Sequence, residues 1–461
     1  MLASGQKPTH LRRILGLGFG VAVIFGGTVG VGILRLPGTI AGELGSVGLI
    51  VAVWLFGGLY ALLGASSVAE LGAAMPQAGG FYVYAKRAFG PATGFAMGWA
   101  DWLNNCAVIA YGAVAATEYL VALMPGVFPD KPQTQTWLAL GLLAAFCGIH
   151  WIGLRLSSSV QKVTSSVTAI TFIARAVACL LHGGAGAFGA GAMVGGRSAH
   201  ALGLAGALAP MMAALRAIVV TYDGWYEAIY FTEEDTDAAL HLPRAMMGGV
   251  ALVIGLYLLM NLAFLHVLSL PELAASKLPA ADAARLVFPA GSAQFVTVLS
   301  LLTLLSLMNA VLLGAPRILF AIGRDGLFSE RAAQVSAGGT PRVALLLTVA
   351  MVGIFIASGR FDEIIAVAAI LVAGMYCVNY VAVIVLRRRE PDLARPFRSW
   401  GYPWTTLLVL AGSVVFLVLD VREDWTSTWR AAVLLAAAVP AYLWAEKHKR
   451  ATSAGGVRNG I

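Results

Sequence analysis

Charged residues are scarce in this chain: they make up 12% of its 461 residues, against 59% hydrophobic residues, and the mean hydropathy is +0.81. Soluble globular domains carry about 25% charged residues. So little charge excludes an ordinary soluble domain and indicates a protein that crosses a membrane several times. The net charge of +8 does not by itself predict nucleic acid as a partner, because the basic residues lie between apolar runs, where they set membrane orientation.

Cysteines and catalytic motifs are rare as well. Four cysteines, all in apolar segments and without the spacing of a metal site, are present: Cys106, Cys147, Cys179 and Cys377. The sequence also lacks a Gly-x-Ser-x-Gly elbow, a His-Glu-x-x-His pair and a Walker-type loop. We therefore expect no enzyme activity, no metal, no cofactor and no ATP site. A transmembrane gradient of ions or substrate would have to supply any energy.

What the chain has in abundance is long apolar runs. They predict about 12 membrane-spanning helices, each near the length that crosses a bilayer. The first run lies between Arg13 and Arg35, and the sixth contains Arg216 and extends to Phe231. The others cover about 44–69, 93–123, 133–154, 158–181, 244–270, 292–318, 343–358, 364–386, 402–419 and 431–445. A Gly/Ala-rich linker at 183–206 precedes the sixth run.

The basic residues predict the orientation of these helices. Most of the 31 lysine and arginine residues fall in segments that are cytoplasmic if the N-terminus is inside. An even number of spans then places both termini in the cytoplasm. Arg12 and Arg13 precede a run that is too long for a signal peptide, so we expect the first span to be kept in a multi-pass integral membrane protein.

The first apolar run has an unusual centre. Gly26, Gly27, Gly30 and Gly32 fall within seven positions, and each glycine costs about 1 kcal/mol relative to alanine in a helix interior. One interpretation is close helix–helix packing through small residues. The other is a helix that is interrupted at mid-membrane and exposes backbone N–H and C=O groups to a ligand.

A second interruption favours the ligand-binding interpretation. Tyr222-Asp223-Gly224-Trp225 places an aspartate beside a glycine inside the sixth span. Each interruption falls in the first span of a group of five, which predicts two five-helix repeats, at about 11–182 and 204–387, with the second inverted. Helices eleven and twelve, at about 402–446, and short cytoplasmic tails complete a single transporter domain over residues 1–461. Paired interrupted helices in inverted halves mark the binding sites of transporters.

Further short motifs follow in a fixed order along the chain. They are Gly26-x-x-x-Gly30-Val31-Gly32-Ile33-Leu34, Glu70-Leu71, Pro76-x-x-Gly79-Gly80-x-Tyr82-x-Tyr84, Gly90, Gly98-Trp99, Gly153 with Gln161, Glu233-Glu234, Pro243-Arg244, Pro316-Arg317, Gly323-Arg324-Asp325-Gly326, Thr340-Pro341, Arg388-Arg389-Glu390-Pro391 and Arg395-Pro396-Phe397-Arg398. Together with the second interruption, this series resembles the amino acid–polyamine–organocation superfamily of permeases over nearly the whole chain. Within it, the motifs are most similar to L-type and cationic amino acid transporter-like bacterial permeases.

The resemblance implies an all-α polytopic membrane protein with 12 transmembrane helices. Helices 1 and 6 would be broken within a LeuT-like 5+5 inverted repeat, with two further C-terminal helices. It also implies secondary transport of amino acids across the bacterial inner membrane by alternating access, through proton symport or amino acid exchange. A polyamine or amine antiporter is the alternative. A channel or amino acid sensor is less favoured, because the spans show isolated charges and no repeated ring. Partners would be the amino acid and the bilayer, and the oligomeric state stays open.

The resemblance also implies a binding arrangement, which helix dipoles explain. The substrate carboxylate would lie on backbone N–H groups of Val31, Gly32 and Ile33, beside Gly30. Its ammonium would lie near the carbonyl groups of Thr28, Val220 and Asp223. Where many members have an aromatic gate this chain has Val220, so Tyr222 or Trp225 is expected to close the site. These nine residues form the candidate substrate site: Thr28, Gly30, Val31, Gly32, Ile33, Val220, Tyr222, Asp223 and Trp225.

Five further residues are candidates for ion coupling or selectivity. Asp101 suits either a structural salt bridge or proton coupling. Asn104 and Thr168 appear where some relatives carry Glu and Lys, so proton and sodium coupling both stay open. Arg175 is the first base that follows Thr168, two helical turns on. Glu227 either faces the site, as a proton acceptor or a partner for a second positive charge, or pairs with Arg175 or Arg216.

Overall fold

The computed structural model describes residues 10–30, 32–124, 126–129, 131–182, 186, 203–288, 292–359 and 361–458. Across these residues the named elements are helices. Two short 3₁₀ helices, Glu227–Phe231 and Glu330–Ala333, join the α-helices. The α-helices are α1 (Leu17–Thr28), α2 (Gly32–Leu44), α3 (Val47–Ala74), α4 (Phe81–Phe89), α5 (Pro91–Leu123), α6 (Pro132–Ile152), α7 (Leu154–Leu181), α8 (Gly203–Thr221), α9 (Ala238–Val267), α10 (Leu270–Ala275), α11 (Pro279–Val287), α12 (Ser292–Arg324), α13 (Arg342–Ser358), α14 (Phe361–Arg389), α15 (Trp404–Glu423) and α16 (Trp425–Arg458).

Within the described part of the chain, nine helices are long and apolar enough to cross a membrane on their own: α3, α5, α6, α7, α9, α12, α14, α15 and α16. The pair α1 and α2 becomes a tenth candidate if it counts as one span, with a bend of 47°. Pro210–Thr221 in α8 and the whole of α13 are shorter apolar helices. The chain is therefore an all-helical, multi-pass integral membrane protein. The predicted total of 12 spans stays a prediction.

Several helix boundaries differ from the predicted ones. The fifth predicted span, 158–181, begins earlier in α7, at Leu154, because Gly153 turns the chain at φ +146° and the Leu154 N–H donates to the Gly338 carbonyl at 3.0 Å. The seventh begins at Ala238, where Asp237 caps α9. The helix predicted at 431–445 begins at Trp425 and extends to Arg458. The predicted 183–206 linker lies mostly outside the described residues.

Two short helices between α9 and α12 were not predicted. Ser269 and Glu272 form a capping box at the start of α10, with the Ser269 N–H donating to Glu272 at 2.8 Å. Hydrogen bonds from the Ser269 hydroxyl and N–H lower the pKa of Glu272. This Ser-x-x-Glu spacing is a signal that the sequence offers for a helix start. α10 packs on α2, where a Cβ on Gly38 would lie 2.3 Å from the Ser276 carbonyl oxygen.

The core that positions the site is built around α1. This helix packs against α9, α7 and α12, while α2 packs against α8. At its centre, a Cβ on Gly26 would lie 2.0 Å from Gln161 Nε2 and 2.8 Å from Ser306 Oγ. Gln161 donates to the Ala22 carbonyl at 3.2 Å, and Ser165 donates to the same carbonyl at 2.8 Å. Gly26 therefore serves close packing, which was one of the two interpretations of the glycine cluster.

Candidate substrate site at two helix breaks

The first break separates α1 from α2. α1 ends at Thr28 and α2 begins at Gly32, and Val31 between them lies outside the described residues. The first N–H groups of an α-helix, here those of Gly32 and Ile33, have no acceptor within the helix. Gly32 also lies close to the second break, because a Cβ there would be 2.7 Å from the Thr221 methyl group. The first break thus offers bare backbone in a buried setting.

The second break follows α8, which ends at Thr221. Gly224 adopts φ +100°, a conformation that favours glycine. The chain then continues as the five-residue 3₁₀ helix Glu227–Phe231. This helix is the short continuation that was predicted to extend to Phe231. The Glu227 N–H donates to the Gly224 carbonyl at 3.2 Å. The interruption predicted at Tyr222-Asp223-Gly224-Trp225 is therefore confirmed.

The two breaks touch each other. A Cβ on Gly224 would lie 2.4 Å from the Gly27 carbonyl oxygen, so only a glycine allows this approach. The hydroxyl of Tyr257, on α9, lies 3.0 Å from the Thr28 carbonyl oxygen and 3.1 Å from the Thr221 carbonyl oxygen. These carbonyls belong to the last residues of α1 and α8. One buried side chain thus holds both half-helix ends together, and the sequence reasoning missed it.

Two of the three carbonyl groups predicted to bind the substrate ammonium have internal partners. The Thr28 carbonyl accepts from Tyr257, and the Val220 carbonyl accepts from the Asp223 N–H at 3.3 Å. A carbonyl oxygen has two lone pairs, so each keeps one acceptor position. The Val220 side chain is 49% exposed, unlike the buried Tyr222 and Trp225. The predicted binding roles stay predictions.

Aromatic side chains surround the second break. Trp225 stacks on Tyr376 of α14, with ring centroids 5.3 Å apart. The Tyr376 hydroxyl donates to Asp223. Tyr222 donates to the Trp54 carbonyl at 3.2 Å and packs against the Tyr257 ring. Tyr376 was also missed from the sequence, where the available signal was a tyrosine in the middle of an apolar span.

Two of the coupling candidates, Asp101 and Asn104, lie next to this break. Asp101 Oδ1 accepts from the Tyr230 hydroxyl at 2.7 Å and from Asn105 Nδ2 at 3.0 Å. Asn104 interacts with the hydroxyl of Tyr226. Asp101 therefore has neutral donors, and the expected alternative of a structural salt bridge finds no support among the residues that the structure describes.

The arginine candidates lie elsewhere. Arg175 donates to the Ala280 carbonyl in α11 at 2.6 Å. Arg216 forms ion pairs with two acids of α15, Asp420 at 2.8 Å and Glu423. The hypothesis that Glu227 pairs with Arg175 or Arg216 is therefore wrong, because each arginine finds its partner on another helix.

The hydroxyl groups of α7 and α12 differ in their hydrogen-bond partners. Ser306 of α12 lies within 3.2 Å of Gln161, Thr164 and Ser165 of α7 and makes hydrogen bonds between the two helices. Thr303 donates to Leu299 of its own helix. Thr168 is buried, and its hydroxyl has no hydrogen-bond partner within the described ranges. In those ranges no group of three His, Cys, Asp or Glu residues is placed to hold a metal ion.

The motifs outside the breaks form ion pairs. Glu70 of α3 accepts from Arg387 and lies 3.2 Å from Arg395. The other pairs are Glu234 with Arg317 at 2.5 Å, Glu233 with Arg324 at 2.7 Å, Lys86 with Asp325 at 2.5 Å and Arg87 with Glu390 at 2.8 Å. Hydrogen bonds from Arg87 lower the pKa of Glu390. These pairs join segments that are distant in sequence.

The segment before α1 also pairs with the segment after the second break. The Ile14 and Leu15 N–H groups both donate to the Glu234 carbonyl at 3.0 Å, and the Thr236 N–H donates to the Leu15 carbonyl at 3.0 Å. Because the Glu234 side chain is held by Arg317, this backbone pairing ties both broken helices to α12.

Comparison with known proteins identifies the class to which this fold and site belong. The sequence model described as amino acid permease matches residues 19–439. The chain therefore belongs to this family, within the amino acid–polyamine–organocation superfamily, and the resemblance inferred from the motifs is confirmed.

Individual relatives are similar over most of their length. The serine/threonine exchanger SteT of Bacillus subtilis is 26% identical, with 95% of this chain and 98% of that protein covered. The human b(0,+)-type amino acid transporter 1 is 26% identical, with 91% and 90% covered. The mouse large neutral amino acids transporter small subunit 2 is 29% identical, with 90% and 78% covered. These relatives are amino acid transporters and not enzymes.

Proposed function

We propose that this protein is a secondary transporter that carries α-amino acids across the membrane by alternating access. The observation that carries the proposal is the contact between the two breaks at Gly27 and Gly224. The start of α2 offers free N–H groups and a positive dipole end to a carboxylate. The ends of α1 and α8 offer carbonyl oxygens to an ammonium group. An α-amino acid carries both groups on one carbon atom.

The proposed membrane topology has 12 spans. Ten come from the nine long helices and the pair α1 and α2, and the others from α8 with its 3₁₀ continuation and from α13. Two inverted five-span repeats, up to the ends of α7 and α14, would precede α15 and α16. Both termini would lie in the cytoplasm of a bacterium, with the protein in the inner membrane. The excess of basic residues in the segments assigned to that side supports this orientation.

The relatives support an amino acid as substrate and exchange as one transport mode. One is named as a serine/threonine exchanger, and another as a transporter of large neutral amino acids. Trp225, Tyr376 and Asp223 lie together at the second break, where side chains of the substrate would meet them. Energy would come from a gradient of protons or of a counter-transported amino acid.

An amine or polyamine antiporter is the second candidate. Asp101, Asp223 and Glu227 are buried close enough for their charges to interact. Such a group of acids suits a substrate with additional positive charge. An amine without a carboxylate would not use the N–H groups of α2, and this difference can be measured.

The proposal is tested with purified protein in liposomes, by uptake of labelled neutral amino acids, cationic amino acids and polyamines. Each substrate is offered with a pH gradient and with unlabelled substrate inside. Gly32→Leu should abolish uptake, because its side chain fills the start of α2. Gly48→Leu is the control, since a Cβ there meets nothing within 4 Å. If no substrate is carried under any gradient or exchange condition, the transporter proposal is wrong. Equal uptake by Gly32→Leu and wild type would remove the carboxylate site.

A further inference from the structure

Glu227 occupies a space that glycines of two other helices leave for it. A Cβ on Gly27 of α1 would lie 2.5 Å from Glu227 Cγ. A Cβ on Gly314 of α12 would lie 3.2 Å from Glu227 Oε2. The carboxyl group is therefore packed between the first break and α12, and only 2% of the residue is exposed. No larger residue at either glycine would leave this space.

The carboxyl group has no compensating charge in the part of the chain that the structure describes. Its Oε2 atom has no hydrogen-bond partner there. The titratable groups whose charges reach it are Asp223 in the second break and Asp101 on α5, with the Tyr226 and Tyr230 hydroxyls nearby. Beside the Glu227 side chain, α1 and α12 contribute only the glycines Gly27 and Gly314 to the contacts described above. Arg317, on the next turn of α12, is held by Glu234. The titratable groups around Glu227 are thus other acids and tyrosines, with no free base among the described residues.

Asp101 and Glu227 differ in the hydrogen bonds that their carboxyl groups accept. Asp101 Oδ1 accepts hydrogen bonds from Tyr230 and Asn105, which favour an ionised carboxylate, while its Oδ2, like Glu227 Oε2, has no partner among the described residues. A buried carboxylate without partners, placed beside another negative charge, costs several kcal/mol. The burial of Glu227 and the lack of a partner for its Oε2 therefore favour the neutral carboxylic acid over the carboxylate.

We propose that Glu227 binds and releases the proton that couples transport, with the neighbouring acid Asp101 favouring its uptake. This inference rests on the proposed transport function. A proton fits because it needs no space, whereas an ammonium group or metal ion would need the volume that Gly27 and Gly314 contacts already fill. The step is a simple protonation: the carboxylate gains a proton from water on one side and returns it to water on the other.

The mechanism follows from where Glu227 lies. It begins the half-helix after the second break and packs on the first break, so its charge acts on the contact between them. The neutral acid allows the two breaks to close around a substrate. The carboxylate would need water, and therefore favours a state in which this contact is open.

The test measures KM for exchange of the best substrate at several pH values, in liposomes with the same pH on both sides. The wild-type KM should rise by about tenfold per pH unit above its midpoint, as for one bound proton. Glu227→Gln should give one KM across the whole range and no accumulation driven by a pH gradient. Asp101→Asn should shift the wild-type midpoint to lower pH. Glu118→Gln is the control, because Glu118 pairs with Arg35 at an exposed site and should keep the wild-type profile.

The outcomes separate this inference from the proposed function. A wild-type KM that is independent of pH overturns the proton site, and this measurement needs no variant to fold. Unchanged pH dependence in Glu227→Gln also overturns it, even if transport is intact. A wild type that carries no substrate at any pH overturns the proposed function and the inference with it. Loss of the pH dependence in Glu227→Gln, with its retention in Glu118→Gln, supports both.

Discussion

The two helix breaks differ in the types of residue that form them. The first, between α1 and α2, is rich in glycine and projects little side-chain volume. The second, after α8, carries Tyr222, Asp223 and Trp225, each held by another helix or packed in the core. Under the proposed function, the first break would present backbone to the groups common to all α-amino acids, and the second would present side chains that distinguish among them.

The largest expected effect on uptake comes from a substitution that forces the two breaks apart. Gly224→Ala adds a Cβ 2.4 Å from the Gly27 carbonyl oxygen at φ +100°. Backbone strain and overpacking there cost about 1–3 kcal/mol each. We expect uptake to fall at least ~100-fold, since each 1.4 kcal/mol is a factor of ten. Uptake by reconstituted protein measures it, with Gly255→Ala, whose Cβ meets nothing within 4 Å, as the control. Normal uptake would show that the contact is not needed.

Removing the tyrosine that holds both half-helix ends should have the next largest effect. Tyr257→Phe leaves the Thr28 and Thr221 carbonyls without this donor. A lost buried hydrogen bond costs about 1–2 kcal/mol, so transport should fall about tenfold. Tyr84→Phe is the matched control, because its buried hydroxyl has no partner among the residues described. Equal losses in both variants would contradict a special role for Tyr257.

A substitution in the first break can separate packing from binding. A Cβ on Gly30 would lie 3.7 Å from Leu307, which is an ordinary contact. Gly30→Ala should therefore leave the unfolding temperature of the purified protein within about 2 °C of wild type. If the substrate lies on this backbone, the added methyl group should raise KM about fivefold, or by roughly 1 kcal/mol. Gly141→Ala, in open space, is the control. An unchanged KM would place the substrate elsewhere.

An effect no larger than that of Gly30→Ala is expected on selectivity at the second break. Tyr376→Phe removes the hydroxyl that donates to Asp223 but keeps the ring stacked on Trp225. Because Asp223 loses a partner, we expect cationic amino acids to gain on neutral ones by about fivefold, the worth of one hydrogen bond. Competition between labelled and unlabelled substrates gives this ratio. A uniform change for every substrate would mean that the second break does not select.

Local patterns in the sequence predicted the breaks because glycine clusters and an Asp-Gly pair are unfavourable in a helix interior. The roles of Tyr257 and Tyr376 could not be predicted in this way. Each acts on a residue of a distant span, and one sequence does not reveal which spans pack together. Arg216 shows the same limit, since its partner Asp420 lies in α15. The sequence likewise did not show that neighbouring glycines make different contacts. Gly26 packs against α7, whereas Gly27 leaves space for the Glu227 side chain.

The pairing of Leu15 with Glu234 and Thr236 has a consequence for sequence variation. It uses main-chain N–H and C=O groups, so most substitutions at position 15 would keep the hydrogen bonds. Proline is different, because it has no N–H to donate. Position 15 is thus constrained twice: the main-chain pairing excludes proline, and the buried Leu15 side chain packs in the core.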